Sequence, residues 1–207
     1  MRKPLLTLAA LLTLTGGLTG CAASHHPAAA PTTAAPDPGR APAQVRWEPF
    51  QGIALPYSPV DGPTQTAAAT GYSRSPQGAV LAAIQDSIRT SASPDSSWAS
   101  FASTSLVAGP GKDNWILART RISITAPTDP KLAPVVVGYR FGSYTPDKAD
   151  ITVYTRFSDA SLAAYRQVVE WQAGDWRLLL PDPATKTVTM QSVSALPADV
   201  LRFEATR

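Results

Sequence analysis

The sequence predicts an α+β fold, with N-terminal helices packed on an antiparallel sheet of five or six strands. Three observations carry this. Apolar residues recur at helical spacing between residues 75 and 108. From residue 116 onward the pattern changes to alternation, and it does so in five consecutive segments. The joints between those segments are short, which favours antiparallel neighbours over parallel crossovers.

In chain order, the first element is Met-Arg-Lys-Pro, a short cationic start, followed by an apolar run from Leu5 to Leu18. The run is shorter than the ~20 residues of a comfortable membrane span, and it fits the central segment of a secretory signal. It ends in Leu18-Thr19-Gly20-Cys21. This segment resembles the lipobox of bacterial lipoproteins: an aliphatic residue, two small residues and the acceptor cysteine. The resemblance implies cleavage after Gly20, diacylglyceryl transfer to the Cys21 sulfur, and anchoring on the outer face of the cell membrane. Two acyl chains are what stable anchoring requires, at ~0.8 kcal/mol per buried methylene. Residues 1–20 are thus expected to be a signal peptide.

Residues 21–45 follow as the lipidated Cys21 and an Ala- and Pro-rich tether. Five of the chain's twenty prolines fall between residues 27 and 42. Such a segment buries too little apolar surface to offset its ordering entropy, and its prolines favour an extended spacer. At ~3.1 Å per residue it would reach roughly 75 Å from the lipid. His25 and His26, the only histidines, read as part of this solvated linker.

Residues 46–72 carry Trp47, Phe50, Ile53, Leu55 and Val60, interrupted by Pro49, Pro56, Pro59 and Pro63. The prolines predict an extended lead-in without regular structure. Residues 73–207 are then the α+β domain proper. Ser75-Pro76 opens its first helix as N-cap and first helical residue. Val80, Leu81, Ile84 and Ile88 form the core stripe, with Gln85, Asp86 and Arg89 off it. Ser93-Pro94-Asp95 opens a second helix carrying Trp98, Phe101, Ala102, Ser105 and Leu106, and Gly109-Pro110-Gly111 stops it.

Five strands follow by alternation. Ile116, Ala118, Thr120, Ile122 and Ile124 share one face of the first. Val135, Val137, Tyr139 and Phe141 share one face of the second, and Ile151, Val153, Thr155 and Phe157 of the third. Tyr165, Gln167, Val169 and Trp171 form the fourth, and Trp176, Leu178 and Leu180 the fifth. Ala173-Gly174 between the last two is a hairpin signal that pairs Trp171 with Trp176. Val188, Met190 and Val193 are candidates for a sixth.

This order resembles the nuclear transport factor 2-like superfold, a curved sheet wrapped around N-terminal helices, over residues 75–195. The resemblance is one of fold alone. The stretch Gly62-Pro63-Thr64 with Gly71-Tyr72-Ser73-Arg74-Ser75-Pro76-Gln77-Gly78-Ala79-Val80-Leu81-Ala82-Ala83 is similar to a signature of poorly characterised actinobacterial proteins, some associated with mobile or conjugative elements.

Composition narrows the chemistry. The chain has 207 residues, 44% hydrophobic and 16% charged, so one packed domain is feasible. Its formal charge of +3 falls to +1 once Arg2 and Lys3 leave with the signal peptide, which leaves sixteen basic residues against fifteen acids. A general nucleic-acid binder is more basic than that, and none is expected as a partner. Cys21 is the single cysteine, so the folded region has no disulfide, no thiol nucleophile and no thiolate metal site. With no His or Cys there, Ser-His-Asp, Cys-His and His-zinc chemistries are excluded, and no metal or cofactor is expected. Gly109-Pro110-Gly111-Lys112 lacks the spacing and the hydroxyl residue of a phosphate loop. An Asp base with Tyr donors would have Asp86, Asp150, Tyr139 and Tyr154 to draw on. No catalytic residue is assigned.

One surface pattern stands out. Arg119, Arg121, Arg140, Arg156, Arg166 and Arg177 all fall opposite the apolar set of the five strands, with Glu170 the only acid at such a position. Six guanidinium groups on one sheet face would suit phosphate, carboxylate or the acidic surface of a protein partner. The expected function is a non-catalytic, membrane-tethered interaction module, suited to a secretion or conjugation assembly. The alternative is an envelope protein that binds a small ligand in an apolar pocket between helices and sheet, where Thr155 and Gln167 are the inward polar residues.

Overall fold

The computed structural model describes residues 35–205, and the lipobox with Cys21 lies outside the described residues. Within this range the protein is a mixed α+β fold with three α-helices, a six-stranded antiparallel sheet and a separate two-stranded hairpin.

The hairpin corrects the expectation of an irregular lead-in. Strands β1 (Arg46–Phe50) and β2 (Ile53–Tyr57) pair antiparallel from Phe50↔Ile53 outward. Gln51 and Gly52 turn between them with φ of +50° and +81°, the left-handed pair that suits a two-residue hairpin. The prolines do not block pairing because of where they fall. In such a hairpin the pair next to the turn is hydrogen-bonded and alternate pairs are not. Pro49↔Ala54 and Trp47↔Pro56 are the second and fourth pairs, so neither proline needs an N–H for the ladder.

Helix α1 (Pro76–Ala92) starts at Ser75, whose Oγ accepts from the Gly78 N–H at 3.1 Å. Gly78 is required there, since a Cβ would stand 2.0 Å from the Ser73 carbonyl oxygen. The apolar stripe Val80, Leu81 and Ile84 packs in the core as expected. Gln85, Asp86 and Arg89, off the stripe, are buried as well. The reason is the hairpin and the segment after it: Gln85 Nε2 donates to the Pro56 carbonyl at 2.8 Å, and Arg89 donates to the Thr66 carbonyl and the Tyr57 hydroxyl. α1 is therefore covered on both sides.

Helix α2 (Trp98–Ser105) is followed by a helix where the first strand was expected. α3 (Pro110–Arg119) takes up Ile116 and Ala118, and the sheet begins only at Val135. The Gly-Pro-Gly step that reads as a stop is also a start: Pro110 sits in the first turn, where its missing N–H costs nothing. Trp115 then faces α2 instead of a sheet, against Trp98 and Phe101, and its Nε1 donates to the Thr90 carbonyl at 3.2 Å.

The four remaining alternating segments form the expected meander: β3 (Val135–Tyr144), β4 (Lys148–Arg156), β5 (Leu162–Gln172) and β6 (Asp175–Leu179). β7 (Met190–Val193) pairs with the first half of β5, whose second half pairs with β6. β8 (Leu201–Arg202) adds to the far edge on β3. Trp171 and Trp176 pair across the Ala173-Gly174 turn with ring centroids 5.5 Å apart. One face assignment changes. A register shift between Val136 and Gly138 lets Val136, rather than Val135 or Val137, share the main core with Tyr139.

Candidate functional site

The inner face of the sheet does not close completely on the helices. Between them lies a cavity of about 550 Å³. Ser87, Ile88, Thr90 and Ser91 of α1 form one wall, spaced so that one helical face looks into it. Val136, Val153, Thr155, Tyr165 and Gln167 form the floor. They come from three adjacent strands, and Val153 is the direct cross-strand partner of Tyr165. The Val107–Lys112 segment and the end of β6 (Leu178, Leu179) complete the enclosure, with residues 180–189 at the rim.

The lining is mostly apolar, with hydroxyls from Ser87, Thr90 and Ser91 of α1 and further polar groups on the floor and rim. Thr155 and Gln167, the two inward polar residues expected from the sequence, both line the cavity. Thr155 is 8% exposed. The hydroxyls of Thr155 and Tyr165 and the amide of Gln167 bond to no other group in the described protein, so three polar side chains on the floor are uncommitted. The segment at Gly109-Pro110-Gly111-Lys112, which the sequence marks only as a helix stop, contributes the wall where α3 begins. The signal that could have found it is Pro110 in a first turn with Asp113 close behind.

A second group of polar side chains is buried apart from this cavity. Asp86 is fully buried, and neither carboxylate oxygen has a hydrogen-bond partner. Burial raises its pKa well above the ordinary carboxylate value, and nearby Arg89 offsets this only in part. The Tyr72 hydroxyl is also buried and unpartnered, and its pKa is raised first by burial and then by Asp86. Asp175 of β6 is well satisfied by the N–H groups of Gly71 at 2.7 Å, Tyr72 at 3.0 Å and Trp176 at 2.9 Å. Arg89 stacks 4.1 Å from the Phe50 ring. Neither Asp86 nor Tyr72 lines the cavity.

The six arginines separate. Arg119 is not on the sheet: it ends α3, is buried, and pairs with Asp95 at 2.8 Å. Arg121 follows α3 in an exposed turn. Both expectations fail because the segment they came from is the end of a helix and the turn after it, not a strand. Arg140, Arg156, Arg166 and Arg177 stand on β3, β4, β5 and β6. Arg140 and Arg166 lie in one transverse row, each opposite Thr152. Three of the four are neutralised within the chain: Arg140 by Asp199 at 3.2 Å, Arg156 by Glu204 at 3.2 Å, and Arg166 by Asp150 at 2.5 Å. Glu170 is thus not the only acid on that face, since Asp150 joins it through its position on β4. Arg177 is the cross-strand neighbour of Glu170, which itself pairs with Lys148 at 3.0 Å.

Among the described residues there is no cluster of three or more His, Cys, Asp or Glu that could hold a metal ion. No helix among them is long and apolar enough to cross a membrane. None of the curated proteins matches the chain, and none of the solved structures does. A family model does match, over residues 16–198, under the description "Domain of unknown function (DUF8175)". The match takes in both the helices and the meander that frame the cavity, and the chain belongs to that family.

Proposed function

We propose that this protein is a membrane-tethered, extracytoplasmic lipoprotein that binds a small, mostly apolar ligand between its helices and its sheet. The observation that carries the binding reading is the cavity of about 550 Å³, mostly apolar in its lining, with uncommitted polar side chains on its floor. Small-molecule sites have this character: ~300–1,000 Å³, apolar walls and a few polar groups that orient the ligand. The chain has filled the remaining sheet-to-helix space with Ile151, Val169, Leu178 and the α1 stripe, so the opening is local and shaped. The tether rests on Leu18-Thr19-Gly20-Cys21 and the Pro-rich segment after it. We read the three helices followed by a consecutive meander as an arrangement related to the nuclear transport factor 2-like superfold, in which such a space lies between helices and curved sheet.

Fluorescence of a neutral apolar dye such as N-phenyl-1-naphthylamine, titrated with the full chain, tests the binding reading. Saturable enhancement is expected. Ile88→Trp and Thr155→Phe, which fill the cavity from opposite walls, should abolish it while melting cooperatively. Absence of saturable enhancement, or enhancement that survives both substitutions, overturns the reading.

A second reading keeps the outer face. Arg140, Arg156 and Arg166 on three adjacent strands would dock an acidic protein surface in a secretion or conjugation assembly. Their internal ion pairs leave less charge for a partner, so the cavity carries the function further. Reversal of all three to Glu should abolish co-purification of a membrane partner, and unchanged recovery removes this second reading.

A further inference from the structure

The charged and donor groups around the cavity are unequally committed. Lys112, Arg166 and Asp182 are the charged residues that line it. Arg166 is engaged by both oxygens of Asp150. Asp182 accepts the Ala184 N–H at 2.8 Å and caps the short turn at residues 183–185. Lys112 has no ion-pair partner among the described residues, and its Nζ reaches only the Leu106 carbonyl, at 3.4 Å. It is half-buried in a largely apolar enclosure.

Beside it the first turn of α3 is open. The N-cap is Gly109, which has no side chain to accept from the helix, and Pro110 has no N–H. The Asp113 N–H bonds to the Gly109 carbonyl, which leaves the Gly111 and Lys112 N–H groups without an acceptor. A Cβ on Gly109 would meet nothing within 4 Å, so there is room beside the N-cap, while Gly111 packs against the Leu180 and Pro181 carbonyls. On the floor of the same cavity Thr155, the cross-strand partner of Val136, is 8% exposed and adds a hydroxyl. One wall therefore offers two main-chain donors and a cation that neither Asp113, in the same first turn, nor Asp182, at the rim, pairs with. From Leu178, which accepts the Val107 N–H beside that wall, the lining continues as hydrocarbon through Val153 and Val136, with Ile88 of α1 also lining the cavity.

We propose that the cavity takes an anionic amphiphile, with its carboxylate or phosphate head at Lys112 and the first turn of α3 and its hydrocarbon body along Ile88, Val136, Val153 and Leu178. A helix N-terminus and a lysine ammonium both favour negative charge, and an oxyanion accepts from several donors at once. An uncharged lipid of the same length would satisfy the hydrocarbon wall and leave the donors unanswered. A cationic one would be repelled by Lys112. This inference rests on the binding reading above and adds the sign of the head group to it.

Calorimetric titration of the full chain, below micelle-forming concentrations, compares dodecanoate, dodecyl phosphate, dodecanol and dodecylammonium. One or both anions should bind about tenfold or more tightly than dodecanol, with dodecylammonium weakest. The better anion identifies the head group. Lys112→Met should bring the anion down to the level of dodecanol in the same variant, and Lys112→Arg should restore the preference. Equal binding of the anions and dodecanol overturns the head-group inference and leaves the cavity reading standing. So does an anion preference that persists in Lys112→Met. Failure of all four, together with the neutral dye, overturns both.

Discussion

Arg119 Nη2 donates to Asp95 Oδ1 at 2.8 Å, joining the last turn of α3 to the segment ahead of α2. The same guanidinium donates to the Ser93 carbonyl at 2.9 Å and the Ile122 carbonyl at 2.6 Å, and it lies 5.5 Å from the Trp98 ring. Its side chain is 4% exposed against 41% for Asp95. This residue is a tie between elements rather than a surface charge. Arg119→Ala should cost about 2–4 kcal/mol, because it strands buried carbonyls and removes the tie between α3 and the Ser93–Asp95 segment. Urea unfolding measures this, and a loss below about 0.5 kcal/mol, the range of ordinary surface substitutions, would contradict the assignment.

Asp95 also sets an acid limit. The Ile124 backbone N–H, then the Ser123 hydroxyl and Arg119, hold its carboxyl at a pKa of about 2. The folded value lies below the unfolded one of about 4, so the stabilisation is complete above pH ~4 and fades as pH falls toward 2. Asp95→Asn should therefore flatten the acid side of the melting-temperature profile. A parallel profile in the variant would show that other carboxylates govern acid unfolding.

Asp86 works in the opposite direction. Its folded pKa is raised by burial, so the folded state holds a proton that the unfolded state releases. Stability from this site is complete below the unfolded value of about 4 and declines as pH rises toward the folded value. Asp86→Asn, uncharged at every pH, should match the parent near pH 4 and exceed it increasingly as pH rises toward the folded value. Thermal melts across that range decide it, and an advantage that does not grow with pH would refute the account.

The Ala173-Gly174 turn carries a correctable strain. Ala173 holds φ of +53°, a conformation that costs a residue with a Cβ about 1 kcal/mol. Ala173→Gly or Ala173→Asn should stabilise the β5–β6 hairpin by about 0.5–1 kcal/mol, read in the same denaturant titration. Destabilisation by either would mean that the turn relaxes to another geometry.

The lipid anchor has a direct readout. Cys21→Ser should move the protein from the membrane fraction to the soluble extracytoplasmic fraction and abolish incorporation of labelled palmitate. Membrane retention of the serine variant would remove the proposed anchoring.

Local pattern alone was enough for the α+β class, helix α1 with its Ser75 cap, the β3–β6 meander and the Trp171–Trp176 pair, because each is written in a period of 3.6 or 2 or in a turn dipeptide. It also placed Thr155 and Gln167 inward, since alternation along a strand is a local property. Tertiary structure decided the rest. Residues 116–124 alternate well enough to pass for a strand, but Ile116 and Ala118 belong to the helix whose Trp115 seats against Trp98 and Phe101. The prolines of residues 46–57 read as breakers until the register puts them at pairs that need no N–H. Asp150, Asp199 and Glu204 found their arginines across strand neighbours and from the C-terminal segment, a matter of distance in space that no sequence spacing encodes. The cavity itself is a shortfall of packing between α1 and the sheet, and whether two apolar faces meet or stand apart depends on every side chain between them.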